Sequence, residues 1–329
     1  MSRRENINEF FNSRAFMILS ALALAFTAVV ALLMGVAPVA TGGRGVFFSF
    51  DSRLLAAGPA SAAINVLCLL ATGGMMLALN KVFTFVRSTT HLFASAFFWL
   101  QVAQPQGLVA FNTGTLLCLV TTVATLPLFA SFQDRHAQRS IFLIFALAAT
   151  GCLFHYGFLV LIPAFLLGFI NMGVFNLKGV LAMLFGLVTP FWITLGLGIA
   201  SPAHFCAPDF VGLWHLVPGG DVDLLLALAA VTAVLGIVLA MMNMATIMNY
   251  RMQPRVYNAF FVFMLIAVVV AMIINYHDTA VLLPLLELMT AVQLAHAHTL
   301  RSTMPYRYMF VLLFVAGCIA LGTVHLLMS

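Results

Sequence analysis

Apolar runs of membrane-crossing character follow one another almost without interruption from residue 15 to residue 328, and this limits what the chain can fold into more than any other feature. They fall near 15–37, 60–80, 89–103, 107–130, 140–155, 157–173, 179–199, 223–247, 257–275, 279–296 and 308–328. A helix needs about 20 such residues to cross the hydrocarbon core. Backbone polar groups cannot stay unpaired in lipid, so each run is expected to be helical; barrel strands would alternate polar and apolar residues, which these runs do not. The expected fold class is therefore all-α, a polytopic transmembrane helix bundle with about eleven spans. Charged residues make up only 7% of the chain and hydrophobic ones 64%, against roughly a quarter charged in a soluble domain. Residues 1–329 thus read as a single transmembrane domain. A short amphipathic lead-in at 1–14 carries Ile7, Phe10 and Phe11 among polar residues and would lie at the membrane surface.

Arg3 and Arg4 precede the first run, as in a signal peptide, but Glu5 and Glu9 spoil a basic leader. The run itself also outlasts a cleavable apolar core of roughly 7–15 residues. It is taken as the first span. Lys and Arg play no part in finding the runs, so their distribution gives an independent test of topology. With the N-terminus cytoplasmic, twelve of the fourteen basic residues fall on the cytoplasmic side, the exceptions being Arg44 and Arg53. Treating 140–173 as one span would put Lys178 and the later basic pairs outside, which favours two short helices turning at His155, Tyr156 and Gly157. On this map the 22-residue loop 201–222 and the C-terminus face outward. The basic excess of +5 is scattered singly and forms no patch, so nucleic acid is not an expected partner.

The residues LNKVFTFVRSTTHLFASAFF at 79–98, ATGCLFHYGFLVLIPAFLLGF at 149–169 and FNLKGVLAMLFGLVTPF at 175–191 carry a family resemblance. Over 79–191 the chain resembles an uncharacterised family of multi-pass inner-membrane proteins from Bacteroidota, classed as a domain of unknown function. His155 departs from the pattern by interrupting the aromatic pair. The resemblance implies a bacterial inner-membrane, envelope setting and a polytopic fold; it brings no activity and no catalytic residues.

Two places invite chemistry. Glu287 lies near the middle of the tenth run, one turn after Pro284. An acid at that depth normally faces a cavity or a partner, and it would serve either as a proton-coupling group or as a hydrogen-bonding link between helices. Leu283, Pro284, Thr290 and Ala291 share its side of the helix, while Leu285, Leu288 and Val292 are expected to face acyl chains. The second place is the first outward loop, GGRGVFFSFDSRLL. The planar guanidinium forks of Arg44 and Arg53 suit phosphate oxygens, and Asp51 beside them would act as the catalytic base toward a sugar hydroxyl. The alternative there is an interfacial ion pair between Asp51 and Arg53. His204 and His215, in the loop 201–222 with Trp214, are candidates for its substrate-binding face.

The nine histidines do not form a metal set. His296 and His298 are two apart and point to different helix faces, while His155 and His325 stand near span ends, where backbone or headgroups would satisfy them. Five cysteines without ligand spacing exclude a disulfide framework. No phosphate loop, dinucleotide fingerprint, or haem or iron–sulfur ligand set is recognisable, so no cofactor is expected. Three readings follow. The first is handling of a lipid-linked envelope glycan at the outer leaflet, with membrane lipid, including a polyprenyl-linked glycan, as partner. The second is a proton-coupled secondary transporter using Glu287. The third is a non-catalytic subunit that holds membrane-protein partners.

Overall fold

The computed structural model describes residues 9–39, 43–49, 58–86, 90–174, 176–216, 224–248, 251–300 and 307–328. Asp51 and Arg53 lie outside the described residues, as do Arg3, Arg4, Ile7, Arg87, Asp221, Arg301 and Tyr306. Among the described residues the helices of eleven residues or more are α1 (Arg14–Leu33), α2 (Pro59–Phe83), α3 (Leu92–Val102), α4 (Thr113–Ala130), α5 (Gln138–Phe154), α6 (Leu161–Asn171), α7 (Leu177–Gly196), α8 (Leu224–Ile247), α9 (Met252–Ile274), α10 (Thr279–Leu300) and α11 (Arg307–Met328). Eight of them are long and apolar enough to cross a membrane, whereas α3, α5 and α6 are shorter apolar helices. The only β pairing among the described residues is an isolated bridge between Arg44 and Ser49.

Short polar residues fix where several helices begin. The Ser13 hydroxyl accepts from the Phe16 N–H at the start of α1, Asn112 accepts from Thr115 N–H at α4, and Asn176 accepts from Gly179 N–H at α7. A helix otherwise leaves its first N–H groups without partners. In the run 140–173, His155 adopts an extended conformation (φ −156°, ψ 131°) that ends α5, and a 3-10 turn at Tyr156–Val160 leads into α6. The run expected over 107–130 is helical only from Thr113. Leu108, Val109, Ala110 and Phe111 belong instead to a buried connection after α3. There Asn65 Nδ2 donates to Gly107 O (2.8 Å) and Phe111 N–H donates to Ser61 Oγ (2.9 Å). Hydropathy alone does not separate a helix from irregular backbone whose polar groups are satisfied by protein.

At the centre stands α10, every residue of which from Thr279 to His298 is buried. Helices α3, α4, α8 and α9 pack around it. Leu285, Leu288 and Val292, expected to meet acyl chains, are therefore buried too. Protein rather than lipid surrounds α10, and this is why it tolerates the lowest mean hydropathy of the eight long helices. Two of its polar residues bond neighbouring helices: Thr290 Oγ1 donates to Thr232 O (3.3 Å), and Gln293 accepts at its backbone carbonyl from Asn243 Nδ2 (2.7 Å) and donates from Nε2 to Asn258 Oδ1 (3.1 Å). The periphery belongs to α1, α7 and α11, which expose Phe26, Phe185, Trp192, Leu313 and Leu327.

Cross-links between helix ends define the two ends of the bundle. Gln133 N–H bonds Met172 O, Asn176 Nδ2 bonds Arg135 O, and Asn171 Nδ2 bonds Val256 O. Phe83 packs edge-on against Phe129 and Tyr257 at the same end. Lys81, Arg135, Arg139, Lys178, Arg251 and Arg255 flank these helix ends and make this the basic end. The opposite end holds residues 43–49, the α5–α6 junction, residues 201–216 and the α9–α10 junction.

Candidate functional site

At the end opposite the basic one, two loops are tied to the helix termini. The C-terminal carbonyls of α5 have no partners within their own helix. Val46 N–H donates to Cys152 O (3.0 Å) and Phe48 N–H to Leu153 O (3.0 Å), so the first loop caps α5. This close approach requires Gly45, because a Cβ there would stand 2.4 Å from Leu153 O. The second loop is stitched on top: Cys206 N–H donates to Val46 O (3.0 Å), Tyr276 N–H to Val211 O (3.0 Å), and the Tyr156 hydroxyl to Cys206 O. Val211 N–H donates in turn to the Asn275 side chain (3.3 Å).

These ties leave a polar cleft of about 320 Å³ between the loops and the helix ends. Arg44, Asp209, His277 and Asp278 line it together with Tyr156, Phe210 and Asn275. Beside it lies an apolar groove of about 380 Å³ between α6 and α9. Leu159, Pro163, Leu167, Phe263, Ile266, Val270 and Ile274 form its walls. Leu167, Ile266, Val270 and Ile274 are each more than 40% exposed on the outer surface of the bundle, so the groove opens sideways. Cleft and groove share Tyr156, Phe210, Asn275 and Asp278.

A His–Asp pair sits at that junction. His155 Nδ1 accepts from Gly157 N–H (2.9 Å), so the neutral ring carries its proton on Nε2. Nε2 faces Asp278 Oδ1 at 3.9 Å and makes no hydrogen bond. Gly43 lies directly over it, since a Cβ at residue 43 would come within 2.0 Å of Nε2. His155 is buried, while the Asp278 side chain keeps 12% of its surface open.

Of the residues singled out in the sequence, Arg44 lines the cleft. Asp51 and Arg53 belong to the undescribed continuation of its loop. His204 and His215 do not line the cleft. His204 Nδ1 is turned back on Ser201 Oγ (3.1 Å) within its own short 3-10 turn, and the exposed His215 ring stands against Trp214. His155 has the backbone contact expected of it and Asp278 in addition. Asp278 and Tyr156, at run boundaries, and Asp209, within the loop 201–222, escape a reading of the sequence because an acid or a phenol there bears no cost of lipid immersion and attracts no attention.

Glu287 belongs to neither cavity. It is fully buried, and Gln101 Nε2 of α3 donates to its Oε2. Its Oε1 has no hydrogen-bond partner among the described residues. No group of three His, Cys, Asp or Glu side chains fit to hold a metal ion occurs among the described residues. No protein-family model, curated protein or solved structure matches the chain.

Proposed function

We propose that this is a multi-pass protein of the bacterial inner membrane that handles a lipid-linked envelope glycan at the outer leaflet. The observation that carries this reading is the adjoining pair of cavities. An amphipathic substrate needs an apolar channel open to the bilayer and a polar site at headgroup level, and here the two share four residues. Arg44 suits a phosphate oxygen. Asp209 and Asp278 are acceptors for sugar hydroxyls, and Tyr156 and Phe210 offer aromatic faces. Asp51 and Arg53, further along the Arg44 loop, remain in the proposal as a base and a second phosphate ligand. The gathering of basic residues at the other end supports an outward-facing cleft, and the resemblance over 79–191 supports the envelope setting.

Purification in native membrane lipid followed by mass spectrometry of what co-purifies tests this. Enrichment of a polyprenyl-phosphate-linked species over bulk phospholipid is expected, reduced several-fold by Arg44→Gln with expression unchanged. Phospholipids alone, in the proportions of the membrane, would overturn it.

A further inference from the structure

We infer that Asp278 is the residue that recognises the sugar of this substrate, and that His155 is a positioning residue for its carboxylate. The inference rests on the proposed lipid-linked glycan. Asp278 belongs to both cavities, so it stands where the chain-bearing phosphate of such a lipid gives way to the first sugar ring. Its backbone N–H donates to Asn275 O (3.3 Å), and His155 Nε2 lies 3.9 Å from Oδ1, beyond hydrogen-bond distance but close enough for an electrostatic contact. The proton of the neutral ring has one possible position, because Gly157 N–H occupies Nδ1. Gly43 packs against Nε2 as well, and Asp278 is the acid that Nε2 faces. Oδ1 thus faces the imidazole, which orients the carboxylate electrostatically, while the partly open side chain reaches the cleft. A carboxylate accepts only, and sugar hydroxyls donate. The pair therefore distinguishes a hydroxyl-rich head from a bare phosphate, which Asp278 and Asp209 would repel. Arg44, which also lines the cleft, takes the phosphate.

The experiment compares binding of two probes, a polyprenyl monophosphate and the same lipid carrying one hexose, to the full chain in nanodiscs by native mass spectrometry. The wild type is expected to hold the hexose-bearing probe about tenfold more tightly than the bare one, the scale of one charge-assisted hydrogen bond. Asp278→Asn should bring the ratio close to one while keeping affinity for the bare probe. His155→Leu should lower the ratio, and His155→Gln, which keeps an N–H dipole on that side of the carboxylate, should restore it. Retention of the preference in Asp278→Asn would overturn the inference and leave the lipid-linked reading standing. Loss of both probes by Asp278→Asn, or a His155→Gln variant no better than His155→Leu, would also overturn it by showing a purely structural role. A wild type that binds neither probe would bring down the lipid-linked reading along with it.

Discussion

Glu287 and Asp278 are both carboxylates of the α9–α10 region, yet their surroundings ask different things of them. Glu287 has a protein partner and lines neither the cleft nor the groove, so its side chain is a link between α10 and α3. Glu287→Gln should change stability by less than about 1 kcal/mol, because the amide still accepts from Gln101. Glu287→Leu should cost about 1–3 kcal/mol, because it strands the Gln101 amide in a fully buried position. Thermal unfolding of the two variants in detergent measures the difference. A Gln variant that melts as early as the Leu variant would show that the carboxyl does something an amide cannot. Asp278, by contrast, keeps part of its surface open to the cleft, and its substitution should register in binding before it registers in melting.

For the elements, α10 shows which parts of the bundle can be read from composition and which cannot. Asn65, Asn112, Thr115, Asn171 and Asn243 stand out in the sequence as amide and hydroxyl groups suited to bonding between helices. All five take part in such bonds or in the loops that join helices, whereas Thr113, which stands out in the same way, has no hydrogen-bond partner for its buried hydroxyl among the described residues. Thr121 and Thr122 look the same in the sequence but bond back to Leu117 O and Cys118 O of their own helix, since a threonine hydroxyl reaches the carbonyl four residues earlier without help from a neighbour. The existence of helices was legible because lipid forces apolar runs into them. The burial of α10 on every side was not, because hydropathy does not report whether a helix meets acyl chains or other helices. Gln293 is the polar centre of that burial, joined to Asn243 of α8 and Asn258 of α9. Interhelical hydrogen bonds in membranes average only about 0.6 kcal/mol, but Gln293→Leu strands the buried Asn258 amide oxygen and leaves Asn243 with only its bond to the backbone carbonyl of residue 293. A loss of about 1–3 kcal/mol is expected, read as a lowered midpoint in detergent denaturation. A midpoint equal to that of the wild type would mean that water or lipid groups replace Gln293.

Across the whole molecule, the two ends differ in charge, and the prediction that follows concerns orientation. A cysteine placed at Arg135 should resist an impermeant thiol reagent added to intact cells, whereas one placed at Arg44 should react, with the native cysteines first replaced by serine. Labelling of residue 135 from outside would invert the bundle and with it the side on which the cleft opens. The cleft was only half legible from the sequence. Arg44 and the loop 201–222 are expected from the sequence as outward features, but the stitching of Cys206 to Val46 and of Tyr156 to Cys206 joins segments far apart in sequence, and no local pattern announces it. The enclosure of α10 also bears on how the protein is made. Its core helix leaves the ribosome after nine others, so the earlier helices must wait in the bilayer around a gap that only α10 fills. A nascent chain halted after α9 would expose the amides of Asn243 and Asn258 with Gln293 still missing, a state suited to capture by an insertase or a membrane protease rather than to release.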